Sequence, residues 1–405
     1  MDKSKFTFLY VFVIIFIVSI LGFLCIKNQD YYSDELPHTT QIRNFVEKDY
    51  TIVPYLTVIP GYHFFVAEFV GFFKIFSIQI VRFISMILLL LLLIPLLYNI
   101  IDKDKEIKIL QIFFFPILFI FWFLVYTDLF SCFIILLSYY FLTKEKYNIS
   151  GICAILSVLV RQNNIVWFIF FIGLIFFKFF KIEKLNFKNI FLVFNKQFLW
   201  KIKFFVLGII GFGLFTLVMN GSLVLGDKTS HPIAVHFGNI WFMLFMIPIL
   251  FFPIVFCRLE KGIKMIFKNS KMLILYVGII LLGLGTFVND HIYNQNTVFL
   301  KNKILVWATY NWINELFFFI VICTSILFLL TYDWKKEQIL FFICTGLYLM
   351  MSWLIDVRYY VIFFMFFMIW RPVEEKKIFE WYQLIYSIIF AIIMFWGILQ
   401  WKIFW

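Results

Sequence analysis

Long apolar runs alternate with short polar segments along the whole 405-residue chain. Runs near the roughly 20 residues that cross a bilayer lie at 6–26, 58–76, 79–101, 109–126, 128–142, 148–177, 204–225, 237–256, 272–288, 312–331, 338–354, 356–371 and 381–401. Several are short or doubled, so the pattern predicts an all-α polytopic membrane protein with roughly 11 to 14 transmembrane helices. The first run has no charge and no small-residue cleavage site after it, which indicates a retained span rather than a signal peptide.

Composition supports a membrane protein, because 64% of the residues are hydrophobic and 23% are aromatic, more than one soluble core could bury. The net charge of +12 does not point to nucleic acid here, since the lysines lie between the apolar runs. Basic loops are found at 102–108, 143–147, 178–203, 257–271, 332–337 and 371–377. By the positive-inside rule these loops face the cytosol.

The remaining polar segments, at 27–57, 126–128, 161–164, 220–237 and 289–311, then face the opposite side. This alternation requires residues 58–101 to make one net crossing, so one of the two runs there is predicted to be interfacial or re-entrant. The sequence shows no internal repeat and no soluble domain. It therefore predicts one membrane-embedded unit, residues 1–405, in which segment 27–57 is the first loop on the non-cytosolic side.

Two adjacent carboxylates, Asp34 and Glu35, follow the first span, and His38 comes three residues later. One interpretation is a solvated acidic loop. The other is chemical: adjacent carboxylates let one act as a general base while the other orients a substrate hydroxyl. His38 fits both interpretations.

Arg161, Gln162 and Asn164 lie in the middle of a 30-residue apolar stretch. Because a charge in hydrocarbon costs several kcal/mol, the stretch is predicted to form two short helices with this turn at the surface or at a cavity. Arg82 and Arg358 also interrupt apolar runs. A planar guanidinium at such places indicates either recognition of phosphate or carboxylate, or a helix-packing salt bridge.

Segment 220–237 contains Asp227, Lys228, His231 and His236 between two spans. The five-residue histidine spacing and the intervening Pro232 disfavour a metal site, and a loop that presents Lys228 and His231 to an anionic lipid headgroup is the simpler hypothesis. Asp128, in the short polar turn Tyr-Thr-Asp, adds an acid on the same side.

Several segments in chain order resemble the eukaryotic dolichyl-phosphate-glucose-dependent alpha-1,2-glucosyltransferases of asparagine-linked glycosylation. "SDELPHTTQIRNF" with "TVIPGYHF" is similar to that family's Met-Asp-Glu-x-x-His-x-x-Gln and Pro-Gly-Leu-Tyr segments. "YTD", "RQNNIVW", "NGSLVLGDKTSHPIAVHF" and "LIDVRYYVIFF" match further family segments in the same order. The family's Asp-Asn-Arg-His-Tyr segment falls near 291–307, where His291, Tyr293 and Trp307 align and Lys301 or Lys303 takes the place of the arginine.

The resemblance implies the C-type glycosyltransferase fold, in the endoplasmic reticulum membrane with a lumenal active site. It implies transfer of glucose from dolichyl phosphate glucose to a diglucosylated lipid-linked oligosaccharide, with inversion and with no metal or other cofactor. Asp34 is then assigned as the base and Glu35 as its substitute. Substrate contacts are expected from a further set of side chains: His38, Asp128, Arg161, Gln162, Asn164, Asp227, Lys228, His231, His236 and Arg358.

Two alternatives remain at the level of sequence. Another transferase that uses a polyprenyl-phosphate sugar would have a similar base and similar phosphate contacts. A transporter would also be polytopic, but it would place polar residues near the bilayer midplane, whereas here they gather at one face.

Overall fold

The computed structural model describes residues 3–73, 76–180, 195–226, 228, 234–295 and 302–400. These residues are almost entirely helical, and no β-strand occurs among them. The α-helices are α1 (Lys3–Ile26), α2 (Glu35–Val46), α3 (Gly61–Val70), α4 (Ile78–Ile100), α5 (Lys105–Phe113), α6 (Pro116–Phe119), α7 (Asp128–Thr143), α8 (Tyr147–Val160), α9 (Val166–Phe180), α10 (Lys196–Val218), α11 (Gly238–Leu250), α12 (Phe252–Lys268), α13 (Ser270–Thr286), α14 (Ile292–Gln295), α15 (Lys303–Ala308), α16 (Trp312–Leu330), α17 (Lys336–Met350), α18 (Val361–Trp370) and α19 (Ile378–Leu399). Short 3₁₀ turns occupy 71–73, 120–122, 162–165 and 357–360.

Six helices of the described part are long and apolar enough to cross a membrane, and one bent pair, α11 with α12, passes the same test together. Four shorter apolar helices accompany them: Asp128–Thr143, Tyr147–Val160, Ser270–Thr286 and Val357–Trp370. The predicted all-α, polytopic membrane protein is therefore confirmed. The lower end of the predicted span count is reached only when the bent pair and all four shorter helices cross as well.

The centre of the bundle is α18, whose residues 361–369 are all buried. A helix that is apolar on every side has no solvent face to offer, so it packs inside a ring of other helices. Beside it α7 and α8 form a hairpin, which Ser138 and Ser150 tie together because each hydroxyl donates to the other residue's carbonyl, at 2.9 and 2.8 Å. These elements fix the chain segments that end at the cavity described below.

The predicted conflict at 58–101 is explained by the length of α3. This helix has ten residues, which is about 15 Å at 1.5 Å per residue and half of a hydrocarbon core. It is too short to cross, whereas α4 has 23 residues. By helix length, run 58–76 is therefore the one of the two expected to be re-entrant or interfacial.

The apolar stretch around Arg161 breaks where its polar residues lie. Helix α8 ends at Val160, Arg161 is extended (φ −145°, ψ 114°), and a 3₁₀ turn over 162–165 leads into α9. The prediction of two short helices with a polar turn is confirmed. In contrast, segment 27–57 was predicted only as a loop, and it contains the twelve-residue helix α2.

Candidate active site

A cavity of about 540 Å³ opens at one end of the bundle. Its walls come from the loop before α2, from α2 itself, from segment 53–58, from the start of α7, from the break between α8 and α9, and from the 3₁₀ turn before α18. The polar side chains that line it are Ser33, Asp34, His38, Thr40, Tyr55, Thr57, Thr127, Asp128, Arg161, Tyr293, Arg358 and Tyr359. Five of the side chains predicted for the site therefore share one cavity: Asp34, His38, Asp128, Arg161 and Arg358.

Asp34 reaches this cavity because of the backbone immediately before it. Ser33 adopts a left-handed conformation (φ 47°), which few residues with a side chain adopt. The Tyr126 hydroxyl accepts the Asp34 backbone N–H at 3.2 Å and donates to the Tyr32 carbonyl at 2.9 Å. The Asp34 carboxylate is about one-third exposed (34%) and accepts a hydrogen bond from Arg358 Nη1 at 2.6 Å. It is both oriented and open to a ligand.

Glu35 points the other way and does not line the cavity. Its side chain is fully buried and accepts two hydrogen bonds from Arg82, at 2.9 and 2.6 Å. The backbone N–H groups of Tyr32 and Val125 also donate to it, each at 3.0 Å. With four donors on two oxygens, Glu35 has no room for a substrate hydroxyl. Glu35, which the sequence suggested as the substitute base, therefore has a structural role: it binds Arg82 and two backbone N–H groups.

Arg82 is the partner that makes this possible. Its guanidinium also donates to the carbonyls of Ile26, Gln29 and Asp30, at 2.8 to 2.9 Å. All five of its N–H donors are therefore used. Of the two interpretations of Arg82 at the sequence level, the helix-packing salt bridge is the one the structure shows, and this pair anchors the loop that presents Asp34.

Two arginines, paired with three aspartates, form the charged wall of the cavity. Arg358 binds Asp356 through Nε at 2.7 Å and Nη2 at 2.5 Å, in addition to Asp34. Arg161 pairs with the buried Asp128 through Nη1. Arg161 makes this one side-chain hydrogen bond among the described residues, while its guanidinium lies 5.6 Å from the centre of the Tyr359 ring. Four of its five donors remain for a ligand.

His38 lines the cavity next to these arginines, and a second histidine holds it from behind. His38 Nδ1 and His63 Nε2 share a hydrogen bond of 2.8 Å in a buried setting. Burial, and then the charges of Arg358 and Arg161, lowers the pKa of His38 to about 3. The ring is therefore neutral at physiological pH, and Nε2 is left to exchange a hydrogen bond with a hydroxyl.

Two predicted contacts shape the cavity without reaching into it. Gln162 holds segment 57–59, because its amide donates to the Thr57 carbonyl at 2.6 Å and accepts from the Ile59 N–H at 3.3 Å. Asn164 is fully buried and donates to the Ser131 hydroxyl and the Ser157 carbonyl, at 2.7 and 2.8 Å. Both are absent from the cavity lining and act on the turn after α8.

Segment 220–237 is described only in part, at residues 220–226, 228 and 234–237. Asp227 and His231 lie outside the described residues. Lys228 is exposed and donates to the Met219 carbonyl at 3.3 Å, and His236 stacks on Trp353 with ring centres 5.5 Å apart. Neither lines the cavity.

The glycine of this segment has a clear structural reason. A Cβ on Gly226 would come within 2.5 Å of the Pro54 carbonyl oxygen and 2.8 Å of the Leu56 carbonyl oxygen. The Leu225 N–H also donates to the Thr57 carbonyl at 3.3 Å. The segment therefore packs directly on the cavity wall at 53–58, where only a glycine allows such close approach.

Region 291–307, where the family motif is altered, places one aligned residue in the cavity, Tyr293. His291 packs against Trp353 instead, with ring centres 4.6 Å apart. Lys303 is exposed and lies outside the cavity lining, and Lys301 falls outside the described residues.

Sequence reasoning missed three residues of the site: His63, Tyr126 and Asp356. Tyr126 and His63 stand in quoted motifs but have partners 92 and 25 residues away, so no local pattern reveals them. Asp356 is two residues before Arg358, close enough for its carboxylate to accept the Arg358 backbone N–H at 2.9 Å. An acid so near an arginine inside an apolar run was the available signal.

In the part of the chain that the structure describes, no three His, Cys, Asp or Glu side chains lie close enough to bind a metal ion together. The fold and the cavity define a class: a polytopic membrane protein with a site of paired arginines and aspartates at one end of its helical bundle. The chain belongs to the DIE2/ALG10 family, whose model matches residues 28–369.

Relatives from several eukaryotes carry one name, Dol-P-Glc:Glc(2)Man(9)GlcNAc(2)-PP-Dol alpha-1,2-glucosyltransferase. The Kluyveromyces lactis protein is 32% identical over 184 residues, which cover 42% of this chain and only 34% of that protein. The Homo sapiens protein is 23% identical over 345 residues (69% of this chain, 71% of that protein), and the Mus musculus protein is 22% identical over 346 residues with the same coverage. No solved structure matches the chain.

Proposed function

We propose that this protein transfers glucose from dolichyl phosphate glucose to the terminal glucose of a diglucosylated lipid-linked oligosaccharide, forming an alpha-1,2 linkage for protein N-glycosylation. Family membership and the shared name of the relatives support this reaction. The observation that carries it is the convergence of Asp34, His38, Arg161 and Arg358 on one cavity. A base and anion-binding groups are the two things such a transfer needs.

The reaction starts from a beta-linked donor and gives an alpha-linked product, so it proceeds with inversion at C1. The 2-hydroxyl oxygen of the acceptor attacks C1, and the bond between C1 and the phosphate oxygen breaks. Asp34 takes the hydroxyl proton, since it is the cavity carboxylate that is open to a ligand while Asp128 is buried. Arg358 keeps the Asp34 carboxylate aimed, and His38 binds a neighbouring sugar hydroxyl.

The leaving group is dolichyl phosphate, which is a weak base and needs no general acid. Negative charge grows on its oxygens as the bond breaks, and preorganised donors stabilise that charge. Arg161 supplies them, because most of its guanidinium is free of protein partners among the described residues. This scheme contains no step that requires a metal ion or another cofactor.

The proposed orientation places the cavity at the lumenal face of the endoplasmic reticulum membrane, at the end of the bundle away from the basic loops. The lipid tails of donor and acceptor then lie between helices, with the glucosyl phosphate at the membrane surface. Tyr55 lines the cavity and is highly exposed. A Tyr55→Cys variant should be labelled by a membrane-impermeant maleimide only after the lumenal side of sealed microsomes is opened, and labelling of intact microsomes would reverse the orientation.

The decisive experiment measures glucose transfer in membranes that carry the parent chain, Asp34→Asn or Asp30→Asn. Asp30 is the matched control, because it is an exposed acid of the same loop outside the cavity. The parent and Asp30→Asn should transfer glucose, while Asp34→Asn should be present in normal amount and inactive. Failure of the parent to use dolichyl phosphate glucose, or transfer of a different sugar, would overturn the proposed function.

A further inference from the structure

A second cavity, of about 700 Å³, lies at the other end of the same helices. Helix α7 begins at Asp128 in the first cavity and contributes Tyr139 to the second, about 16 Å further along the helix. Likewise Arg358 lies just before α18 and lines the first cavity, while Trp370 at the end of α18 lines the second. The two cavities are therefore separate sites at opposite ends of the bundle.

The predicted basic loops meet at this second cavity. Residues from 102–108, 257–271, 332–337 and 371–377 all contribute to its lining. Its six cationic side chains are Lys103, Lys108, Arg258, Lys261, Lys335 and Arg371, against three aspartates. This end of the bundle is the one that the positive-inside rule assigns to the cytosol.

Part of this charge is neutralised within the protein. Arg258 pairs with Glu374 at 2.6 Å, Arg371 pairs with Glu380 at 2.5 Å, and Asp104 accepts from Lys377 at 2.9 Å.

Four lysines of the lining have no ion pair among the described residues: Lys103, Lys108, Lys261 and Lys335. Two aspartates of the lining, Asp102 and Asp333, likewise form no ion pair among the described residues. The cavity therefore keeps an excess of positive charge.

Lys108 shows the consequence most clearly. Its side chain is buried, and Nζ donates to the carbonyls of Ile369 and Arg371 at the end of α18, each at 2.8 Å. Burial, and then the charge of Arg371, lowers the pKa of Lys108 to about 8, so the ammonium is mostly charged at neutral pH. Two of its three N–H donors cap the helix. One donor is left for an anion in the cavity.

We propose that the second cavity binds the phosphate group of an anionic lipid headgroup. Lysines act as point charges for phosphate, and basic pockets between helix ends at the cytosolic surface are a known way to hold such headgroups. Trp334 and Trp370 line the same cavity, and tryptophan is enriched where a bilayer meets water. A lipid is therefore the favoured source of the phosphate, and free inorganic phosphate is the other. The inference does not depend on the transferase reaction.

The test uses the full chain, purified in a neutral detergent, and a fluorescent short-chain phosphatidylinositol 4-phosphate as the probe. Lys103→Gln and Lys261→Gln remove exposed lysines whose side chains form no hydrogen bond or ion pair with any described residue. Each change should weaken binding about five-fold, as expected for one lysine near an anionic surface. Lys271→Gln is the matched control, because Lys271 is an exposed lysine outside the cavity. This variant should bind the probe as tightly as the parent chain does.

Competition by inorganic phosphate separates the two sources. Lipid binding that millimolar phosphate does not displace supports a headgroup site, whereas displacement at low millimolar concentration supports a phosphate site with a soluble ligand. Arg161→Lys should leave probe affinity unchanged, because Arg161 lines only the other end of the bundle. Equal binding by the parent and both cavity variants, or an equal loss in Lys271→Gln, would overturn the proposal. Gel filtration and melting temperature verify that each variant is folded.

Discussion

Asp34 and Glu35 are neighbours in the chain, yet the structure predicts opposite effects for the substitutions Asp34→Asn and Glu35→Gln. Asp34→Asn removes a partly exposed carboxylate. Its partner, Arg358, still forms an ion pair with Asp356. Stability should therefore change by no more than about 1 kcal/mol, while transfer is lost. Glu35→Gln changes a fully buried group that is not in the cavity. It should lower stability instead, and activity should be limited by how much folded protein remains.

The size of the Glu35 effect follows from its partners. The carboxylate accepts four hydrogen bonds, two of them from the buried Arg82. A glutamine amide has one oxygen and one donor NH₂ group, so at least one buried N–H must face another donor. Removing one partner of a buried ion pair costs about 3–5 kcal/mol. At roughly 2 °C per kcal/mol for a large domain, the melting temperature should fall by about 6–10 °C.

The assay compares two quantities for each variant: the melting temperature of the purified chain, and glucose transfer per folded molecule at a temperature below both transitions. Asp34→Asn should keep the melting temperature and lose transfer, and Glu35→Gln should do the reverse. If Glu35→Gln kept its melting temperature and lost transfer, Glu35 would be part of the chemistry and the structural assignment would be refuted.

Three further predictions concern the cavity wall. Arg161→Lys keeps the positive charge beside Asp128 but loses the planar guanidinium with its several N–H donors. The kcat for transfer should therefore fall about a hundredfold while the melting temperature stays unchanged. An unchanged kcat would exclude Arg161 as the phosphate ligand. His63→Phe puts a somewhat larger apolar ring in place of the imidazole and removes the partner of His38, which should raise the acceptor KM about five- to ten-fold for one lost hydrogen bond. The pH profile between 5 and 8 should keep its shape because the pKa of His38 lies near 3; a profile that changed shape there would show that His38 titrates. Gly226→Ala should push segment 220–226 away from the wall at 53–58 and raise the acceptor KM, whereas Gly211→Ala, at a helical glycine with open space around it and no positive φ, should leave that KM unchanged.

Some features depend only on the cost of placing a single residue in hydrocarbon, and these could be predicted from the sequence. A guanidinium cannot lie in hydrocarbon without a large cost, so the break at Arg161 followed from its place in an apolar stretch. The all-α membrane fold followed from the apolar runs in the same way. Run 58–76 was harder, because the pattern required one net crossing over 58–101 without indicating which run stayed on one side. The ten-residue length of α3 favours run 58–76 as the run that does not cross.

The features that depend on distant partners could not be predicted. Nothing in "SDEL" distinguishes the roles of Asp34 and Glu35, because Glu35 is assigned by Arg82, 47 residues later. Helix α2 was missed because its sequence is polar and lacks a clear apolar face. It is held by specific contacts, such as those of Gln41, which accepts the Val53 N–H at 2.8 Å.

The three arginines that interrupt apolar runs show how hydrogen-bond accounting separates structure from function. Arg82 uses all five donors on protein groups and has nothing to offer a ligand. Arg358 uses three, all on carboxylates, so it can orient Asp34 but has little left for an anion. Arg161 uses one of its five N–H donors on Asp128, and the other four have no partner among the described residues and remain for a ligand in the cavity. In the proposed reaction the donor phosphate would therefore bind on the Arg161 side of the cavity, between α8 and α9, and the attacking hydroxyl on the Asp34 side. Inversion requires the nucleophile and the leaving group on opposite faces of C1, and the proposal meets that requirement by assigning them to two different groups, Asp34 and Arg161.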